Sequence, residues 1–358
     1  MSASTLGPIT AVVCNYNGRE HLPPCLSALR LSSRKLAELV VVDNASTDES
    51  VELLRRDFRD VRVVQLASND GPCAARNRGL AEARSEWVLL VDNDAVLAPD
   101  ALAKLEQAAL ARPDAVVIQP RSVVASQPGT VHYDGGSLHY CGLFALRNFF
   151  RPVAQAEGRG VVEVDGCVSV VLLVKRELLV EFGGFDPAYF ILFEDLDLSF
   201  RLRAMGRAIV SVEEALCLHG GGTPDLSFRD GPRYPGSRVR HHSKNRWLHI
   251  ANNYRARTIL CCLPSFAAYE VAQFAFALAA GAAGEWWRGK REWWADRAHW
   301  RARRAGLERT RTTPDRRLLV GGPLTLTPAA ARGGRALVAR LLDGWMRAWW
   351  WILRPFAG

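Results

Sequence analysis

The chain has 358 residues, of which 49% are hydrophobic and 23% charged, with a formal net charge of +9 and a pI near 9.4. This length and composition exclude disorder and a pure coiled coil, and allow one large α/β domain with an appendage or two ordinary domains. Residues 285–358 hold 16 Lys and Arg against 6 Asp and Glu, together with nine of the eleven Trp residues, whereas residues 1–284 hold 30 against 31. A basic, Trp-rich tail on a neutral body has the composition of a membrane interface, so the net charge argues for an anionic membrane surface and against a nucleic-acid partner.

None of the eight cysteines forms a C-x-x-C pair, so neither a zinc site nor a disulfide framework is readable. The N-terminal segment has no basic n-region, and Ile9–Cys14 is too short for a signal h-region, so a reducing cytoplasm is the expected compartment.

In chain order, Ile9–Cys14 reads as a β-branched strand followed by Asn15-Tyr16-Asn17-Gly18, then a helix from about Arg19 to Leu31 with Leu22, Leu26 and Leu29 on one face. Leu39–Val42 is a second strand ending at Asp43. Ser46-Thr47-Asp48-Glu49 fits a capping box, with a helix running from Thr47. Val61–Leu66 is a third strand, and Asn69-Asp70-Gly71-Pro72 turns into a helix with Pro72 at its first position. Trp87–Val91 is a fourth strand ending at Asp92-Asn93-Asp94, Pro99 opens a helix, and Ala115–Ile118 is a fifth strand. This alternation predicts an α/β fold with a mostly parallel, Rossmann-like sheet and helices on both faces. Its first, second and fourth strands end in Asn or Asp, which places those side chains at the carboxyl edge where open α/β sheets bind ligands.

From Arg121 to about Gly160 the chain reads as hairpins and loops. Val168–Val174 is strand-like, Gly183-Gly184-Phe185-Asp186-Pro187 is a tight turn, and a helix runs from Glu194 to about Met205. Ala208–Val212 and Ala215–Leu218 read as two short strands, the second ending at His219. A polar, Gly/Pro-rich segment from Gly220 to about Arg238 suits a lid. Thr258–Gly284 has one charge, Glu270, and is long enough to span a bilayer, but both flanks are basic, which favours a re-entrant or interfacial hairpin kinked near Pro264. Leu337, Leu341, Trp345, Trp349, Ile352 and Phe356 form one helical face and Arg340, Arg347 and Arg354 another, the pattern of a helix lying in the membrane interface. The alternative is that both segments are core helices.

Three clusters carry chemistry. Asp92 and Asp94, two residues apart at a strand exit, suit a divalent cation that holds a diphosphate, although such a triplet also serves as a turn or a helix cap. Glu194, Asp195 and Asp197 open a helix; they complement its dipole, and the apolar shoulder Tyr189–Phe193 raises a carboxylate toward a general base, for which Asp195 is the candidate. His219, before three glycines, is either a structural histidine or a metal ligand.

The ordered set Val13-Cys14-Asn15-Tyr16-Asn17-Gly18, Val41-Val42-Asp43-Asn44-Ala45-Ser46-Thr47-Asp48, Asn69-Asp70-Gly71, Ala75-Arg76-Asn77, Asp92-Asn93-Asp94, Gly183-Gly184-Phe185-Asp186, Phe193-Glu194-Asp195-Leu196-Asp197 and His219 resembles family-2 glycosyltransferases of the GT-A fold, in particular their rhamnosyltransferase-like branch. The resemblance covers about residues 8–250. It implies that Asn15, Asn17 and Asp43 contact the donor nucleoside and that Gly71 and Asn77 line the same pocket. It further implies that Asp94 and His219 bind a divalent cation, Mn²⁺ or Mg²⁺, with Asp92 nearby on the donor side, and that Asp195 is the base, with Glu194 and Asp197 in support. The Gln-x-x-Arg-Trp motif of processive synthases is absent, although Lys244-Asn245-Arg246-Trp247 follows the lid segment, so addition of one or a few sugars is expected.

The combined expectation is a glycosyltransferase domain at residues 1–250 and a helical, membrane-associated region at 251–358. Its reaction would be inverting and metal-dependent, from a nucleotide-diphosphate sugar, rhamnose in the implied branch, to a lipid-linked saccharide. The setting would be cell-envelope polysaccharide synthesis at the cytoplasmic face of the inner membrane. A nucleotidyltransferase and a catalytically silent membrane scaffold on the same fold are the rival readings.

Overall fold

The computed structural model describes residues 5–220, 234–325 and 333–358. Most of the segment expected to form a lid lies outside them. The chain forms two compact units, one of residues 1–135, 147–198 and 207–221, the other of residues 136–146, 199–206 and 222–358.

The first unit begins β1 (Ile9–Asn15), α1 (Leu22–Arg30), β2 (Glu38–Asp43), α2 (Ser50–Asp57), β3 (Arg62–Gln65), α3 (Gly71–Glu82), β4 (Trp87–Asp92), β5 (Ala95–Leu97), α4 (Ala101–Ala111), β6 (Ala115–Val124) and β7 (Gln127–Tyr133). Two strands of the second unit follow, β8 (Gly136–His139) and β9 (Leu143–Leu146). Then come β10 (Val161–Val164), β11 (Val171–Lys175), α5 (Arg176–Glu181), α6 (Glu194–Ala204) and β12 (Ala208–His219).

The sheet order is β10-β12-β6-β11-β4-β1-β2-β3, with β5 on β12 and β7 on β6. Strands β1 to β4, β6 and β12 run the same way, as the alternation predicts. The sheet is nevertheless mixed rather than mostly parallel, because β11 lies antiparallel between β4 and β6, and β10, β5 and β7 also pair antiparallel. The short apolar run of β11 carries no period that would reveal its direction or its partners. The two short strands expected on either side of residue 213 are one strand, β12, whose register against β6 shifts between Val212 and Leu216.

Both faces of the sheet are covered. On β1, Ile9, Ala11 and Val13 enter the core with Leu22, Leu26 and Leu29 of α1 and Leu54 of α2. Val12 points to the other face, so close to α3 that a Cβ on Gly79 would stand 2.1 Å from its Cγ1. A strand buried on both faces must be apolar at consecutive positions, which is why it reads as an unbroken hydrophobic run.

The second unit contains α7 (Gly236–Asn253), α8 (Ala256–Ala279), α9 (Ala283–Ala295), α10 (Arg297–Thr310), α11 (Asp315–Leu318), β13 (Leu319–Val320) and α12 (Gly333–Leu353), with a small sheet of order β13-β8-β9. Arg246 of the Lys244–Trp247 stretch is fully buried; it donates to the Cys141 carbonyl and to Glu270, and its guanidinium lies 4.4 Å from the centre of the Tyr269 ring. Trp247 and Lys290 also hold Glu270. The one acidic charge of α8 is therefore neutralised within the unit, and burial pulls the Lys290 ammonium down to about 8 against the attraction of Glu270.

The hairpin expected at Pro264 is not formed. α8 continues through Pro264, and the reversal comes at Gly281, whose φ of +67° is open to glycine but costly for a side chain. α8 is long and apolar enough to cross a membrane by length and composition, and 17% of its most apolar window is buried. In α12, Met346 and Trp350 face inward, with Trp350 stacked 4.9 Å from the Tyr140 ring. Leu337, Leu341, Trp345, Ile352 and Phe356 are exposed, and Trp349 is half-buried, donating to the Cys261 carbonyl.

Candidate active site

The parallel register of the central strands sets Asn15 beside Asp43 and Cys14 beside Asp92, so the polar strand ends form one row. Asn15 donates to the Asp43 carboxylate at 2.8 Å and accepts from Asn93 at 2.8 Å. Asp43 is fully buried and also takes the Ser46 hydroxyl at 2.6 Å. Asn17 sits at φ 49° and its side-chain oxygen accepts the backbone N–H groups of Thr47 and Asp48.

Ser46 is not a helix cap. Its hydroxyl donates to Asp43 and accepts from the Asn17 N–H, and α2 begins only at Ser50, with no side-chain cap at Glu49. A capping box and a loop-locking serine share the same spacing; the buried Asp43 carboxylate three residues upstream competes for the hydroxyl and wins.

Gly71 opens α3 at φ +83°, where a Cβ would stand 2.6 Å from the Phe190 carbonyl oxygen, so only glycine fits. Asn77, on the same helix, donates to the Phe185 carbonyl at 2.7 Å and accepts from the Phe185 N–H at 2.9 Å, tying α3 to the Gly183–Asp186 turn.

Beyond β4 the chain turns through Asn93 and Asp94 into β5, which pairs antiparallel with the end of β12, Ala95 opposite His219. The Gly220 N–H donates to the Asp94 carbonyl at 3.0 Å. This pairing gathers Asp92, Asp94 and His219, whose ligand atoms lie within 4.8 Å of one another, with Asp94 Oδ2 3.5 Å from His219 Nε2. Two carboxylates and one imidazole are a fitting donor set for Mn²⁺, whereas Mg²⁺ would use the two carboxylates and complete its shell with oxygen ligands.

Arg76 went unassigned at the level of sequence. Its guanidinium is buried, donates to Asp92 at 2.8 Å, to Glu194 at 3.2 Å and to the Ser169 carbonyl at 3.1 Å, and so joins the Asp92 turn to the start of α6. The signal was present: on α3 it shares a buried face with Cys73, Gly79 and Leu80, where a charge requires an acidic partner. Burial pushes the Asp92 carboxyl up to about 6, Arg76 pulling it down and Asp94 pushing it up.

The approach to α6 is strained, with Phe190, Leu192 and Phe193 all at positive φ, the kind of backbone that concentrates at functional sites. Asp195 follows this apolar stretch. Burial pushes its carboxyl up to about 7, the Glu194 charge acting the same way and the Leu196 N–H opposing. Glu194 is buried against Arg76. Asp197 is fully buried and accepts the Tyr189 hydroxyl at 3.0 Å, which makes it part of the packing beneath the loop.

Residues 10–168 match the model of the family described as Glycosyl transferase family 2. The chain is 26% identical over 269 residues to N-acetylglucosaminyl-diphospho-decaprenol L-rhamnosyltransferase of Mycobacterium tuberculosis, covering 69% of this chain and 84% of that protein. It is 33% identical over 103 residues to succinoglycan biosynthesis protein ExoO of Rhizobium meliloti, covering 28% and 29% of the two chains. Among solved structures, GalNAc-T7 with UDP, GalNAc and Mn²⁺ superposes with a TM-score of 0.58 at 16% identity, over 75% of this chain and 52% of that one, a likeness of fold. The match to the family-2 model over residues 10–168 and these relatives together make the chain a glycosyltransferase.

Proposed function

We propose that the protein transfers a sugar, with inversion, from a nucleoside-diphosphate donor to a hydroxyl of a lipid-linked saccharide in cell-envelope polysaccharide synthesis. The observation that carries this reading is the junction of the Asp92–Asp94–His219 cluster with Glu194-Asp195 through Arg76. Asp94 and His219, with Asp92, hold Mn²⁺ or Mg²⁺, which when bound supplies positive charge for the departing diphosphate. Asn15, Asn17, Asp43, Gly71 and Asn77 shape the nucleoside side of the site. Asp195 takes the proton of the acceptor hydroxyl as its oxygen bonds to the anomeric carbon and the bond to the diphosphate breaks. A carboxylate raised toward neutrality is suited to that task, since its affinity for the proton rises while a useful fraction stays ionised.

The rhamnosyltransferase relative, named for a lipid-diphosphate acceptor, supports rhamnose as the sugar and a polyprenyl-linked acceptor. The exposed apolar faces of α8 and α12, flanked by Arg340 and Arg347, support attachment of the second unit to the anionic cytoplasmic face of the membrane, either lying in the interface or re-entrant. The test is a transfer assay with UDP-, dTDP- and GDP-sugars on a polyprenyl-diphosphate saccharide, with and without Mn²⁺. Product with one donor, lost on chelation and in folded Asp94→Ala protein, is expected. Cation-independent transfer refutes the metal role, and absence of transfer with every donor refutes the proposed donor and acceptor classes.

A further inference from the structure

Behind the Asp92–Asp94–His219 cluster stands a second histidine. Along the β6–β7 hairpin Ser122 faces Tyr133 and Val123 faces Val131, so His132 is the extra residue of a bulge. Bulges re-aim a side chain, and this one sends His132 toward the end of β12. His132 is buried, and its Nδ1 lies 2.9 Å from Nδ1 of His219, with the two rings 4.8 Å apart and inclined by 29°. Phe149 and Phe150 pack against the His132 ring, restricting its rotation. The other nitrogen of His219, Nε2, is the atom turned to Asp94.

An Nδ1–Nδ1 contact between neutral imidazoles holds one proton, and its owner decides what His219 presents at Nε2. With the proton on His219, Nε2 carries a lone pair, the form in which imidazole binds a metal. With the proton on His132, His219 bears its hydrogen at Nε2 and can only donate to Asp94. The 3.5 Å separation of that nitrogen from Asp94 is longer than an ordinary hydrogen bond. We propose that His132 is a positioning residue of the cation site. It accepts the Nδ1 hydrogen of His219 and thereby fixes the tautomer and ring orientation that present Nε2 to a divalent cation beside Asp94. This inference rests on the cation reading of the cluster.

The experiment uses the full chain and Mn²⁺ alone, with free Mn²⁺ counted by electron paramagnetic resonance. Histidine tautomers are read by ¹⁵N nuclear magnetic resonance, with His219→Ala assigning the signal. The parent protein should show His219 protonated at Nδ1. His132→Phe, which keeps a ring but has no acceptor, should weaken Mn²⁺ binding about 10–100-fold. His132→Gln, whose amide oxygen can take the same hydrogen, should stay within about threefold of the parent. A parent with His219 protonated at Nε2 overturns the proposal without any variant of His132. Equal Mn²⁺ binding by parent and His132→Phe, or equal losses in His132→Phe and His132→Gln, overturns it while leaving the cation site standing. A parent that binds no Mn²⁺ removes the cation reading and this proposal with it.

Discussion

Replacing Asp195 with Asn should make the protein slower and, above neutral pH, more stable. The carboxyl is raised from 3.8 to about 7, chiefly by burial. Between those values the native state holds a proton that the unfolded state has released, so stability falls as pH rises through the interval and the loss is complete above the native value. At about 1.4 kcal/mol per unit the full loss is about 4 kcal/mol; partial solvent access and the shared charge of Glu194 reduce this to about 2 kcal/mol. Asn keeps the oxygen that accepts the Leu196 N–H but cannot ionise, so it escapes the loss. At about 2–4 °C per kcal/mol, Asp195→Asn should melt about 4–8 °C above the parent at pH 8, and the gap should close toward pH 4. Turnover should fall by about 10²–10⁴ with donor affinity nearly unchanged. Scanning calorimetry of the apo protein across pH 4–8 decides the matter. A melting difference that does not vary with pH shows that the carboxyl is not raised, and greater damage to turnover by Glu194→Gln shows that the wrong carboxylate has been assigned.

Arg76→Met should cost about 3–5 kcal/mol, because Asp92 and Glu194 lose their shared counter-charge in a buried setting; a urea midpoint unchanged from the parent would sink that account. Arg340, Arg347 and Arg354 changed together to Glu should weaken binding to anionic liposomes about a hundredfold, at about 1 kcal/mol per basic residue. Transfer to a short water-soluble acceptor should survive the change. If liposome binding persists at low salt while the fold is lost, α12 is a core element instead.

The legible part of this fold was periodic. Leu22, Leu26 and Leu29 marked the inner face of α1, and the polar residues at the ends of β1, β2 and β4 announced the row that the register then assembled. Features that depend on a distant partner could not be read. Ser46 looked like a cap because Asp43 and Asn17 meet it only in the folded chain. The shift near Val212 looked like a strand break because a bulge interrupts the alternation without interrupting the strand. Pro264 suggests a turn, but the helix absorbs the loss of one N–H there and the chain turns at Gly281, where a positive φ is open. Asp92, Asp94 and His219 stand out in the sequence as residue types at strand exits, whereas the contacts of Arg76 with Asp92 and of His132 with His219 join residues far apart in the chain and leave no spacing to read.

The position of β11 bears on how the chain can be made. Until residues 171–175 have left the ribosome, β4 has an open flank, so Val88–Val91 stays available to any passing strand. The stretch that matches the family model ends at residue 168, three residues before β11 starts. That stretch delimits a signature rather than a foldable body. A fragment cut to it would carry an unfilled slot through the middle of its sheet, and the nascent chain must pass through the same vulnerable state each time it is synthesised.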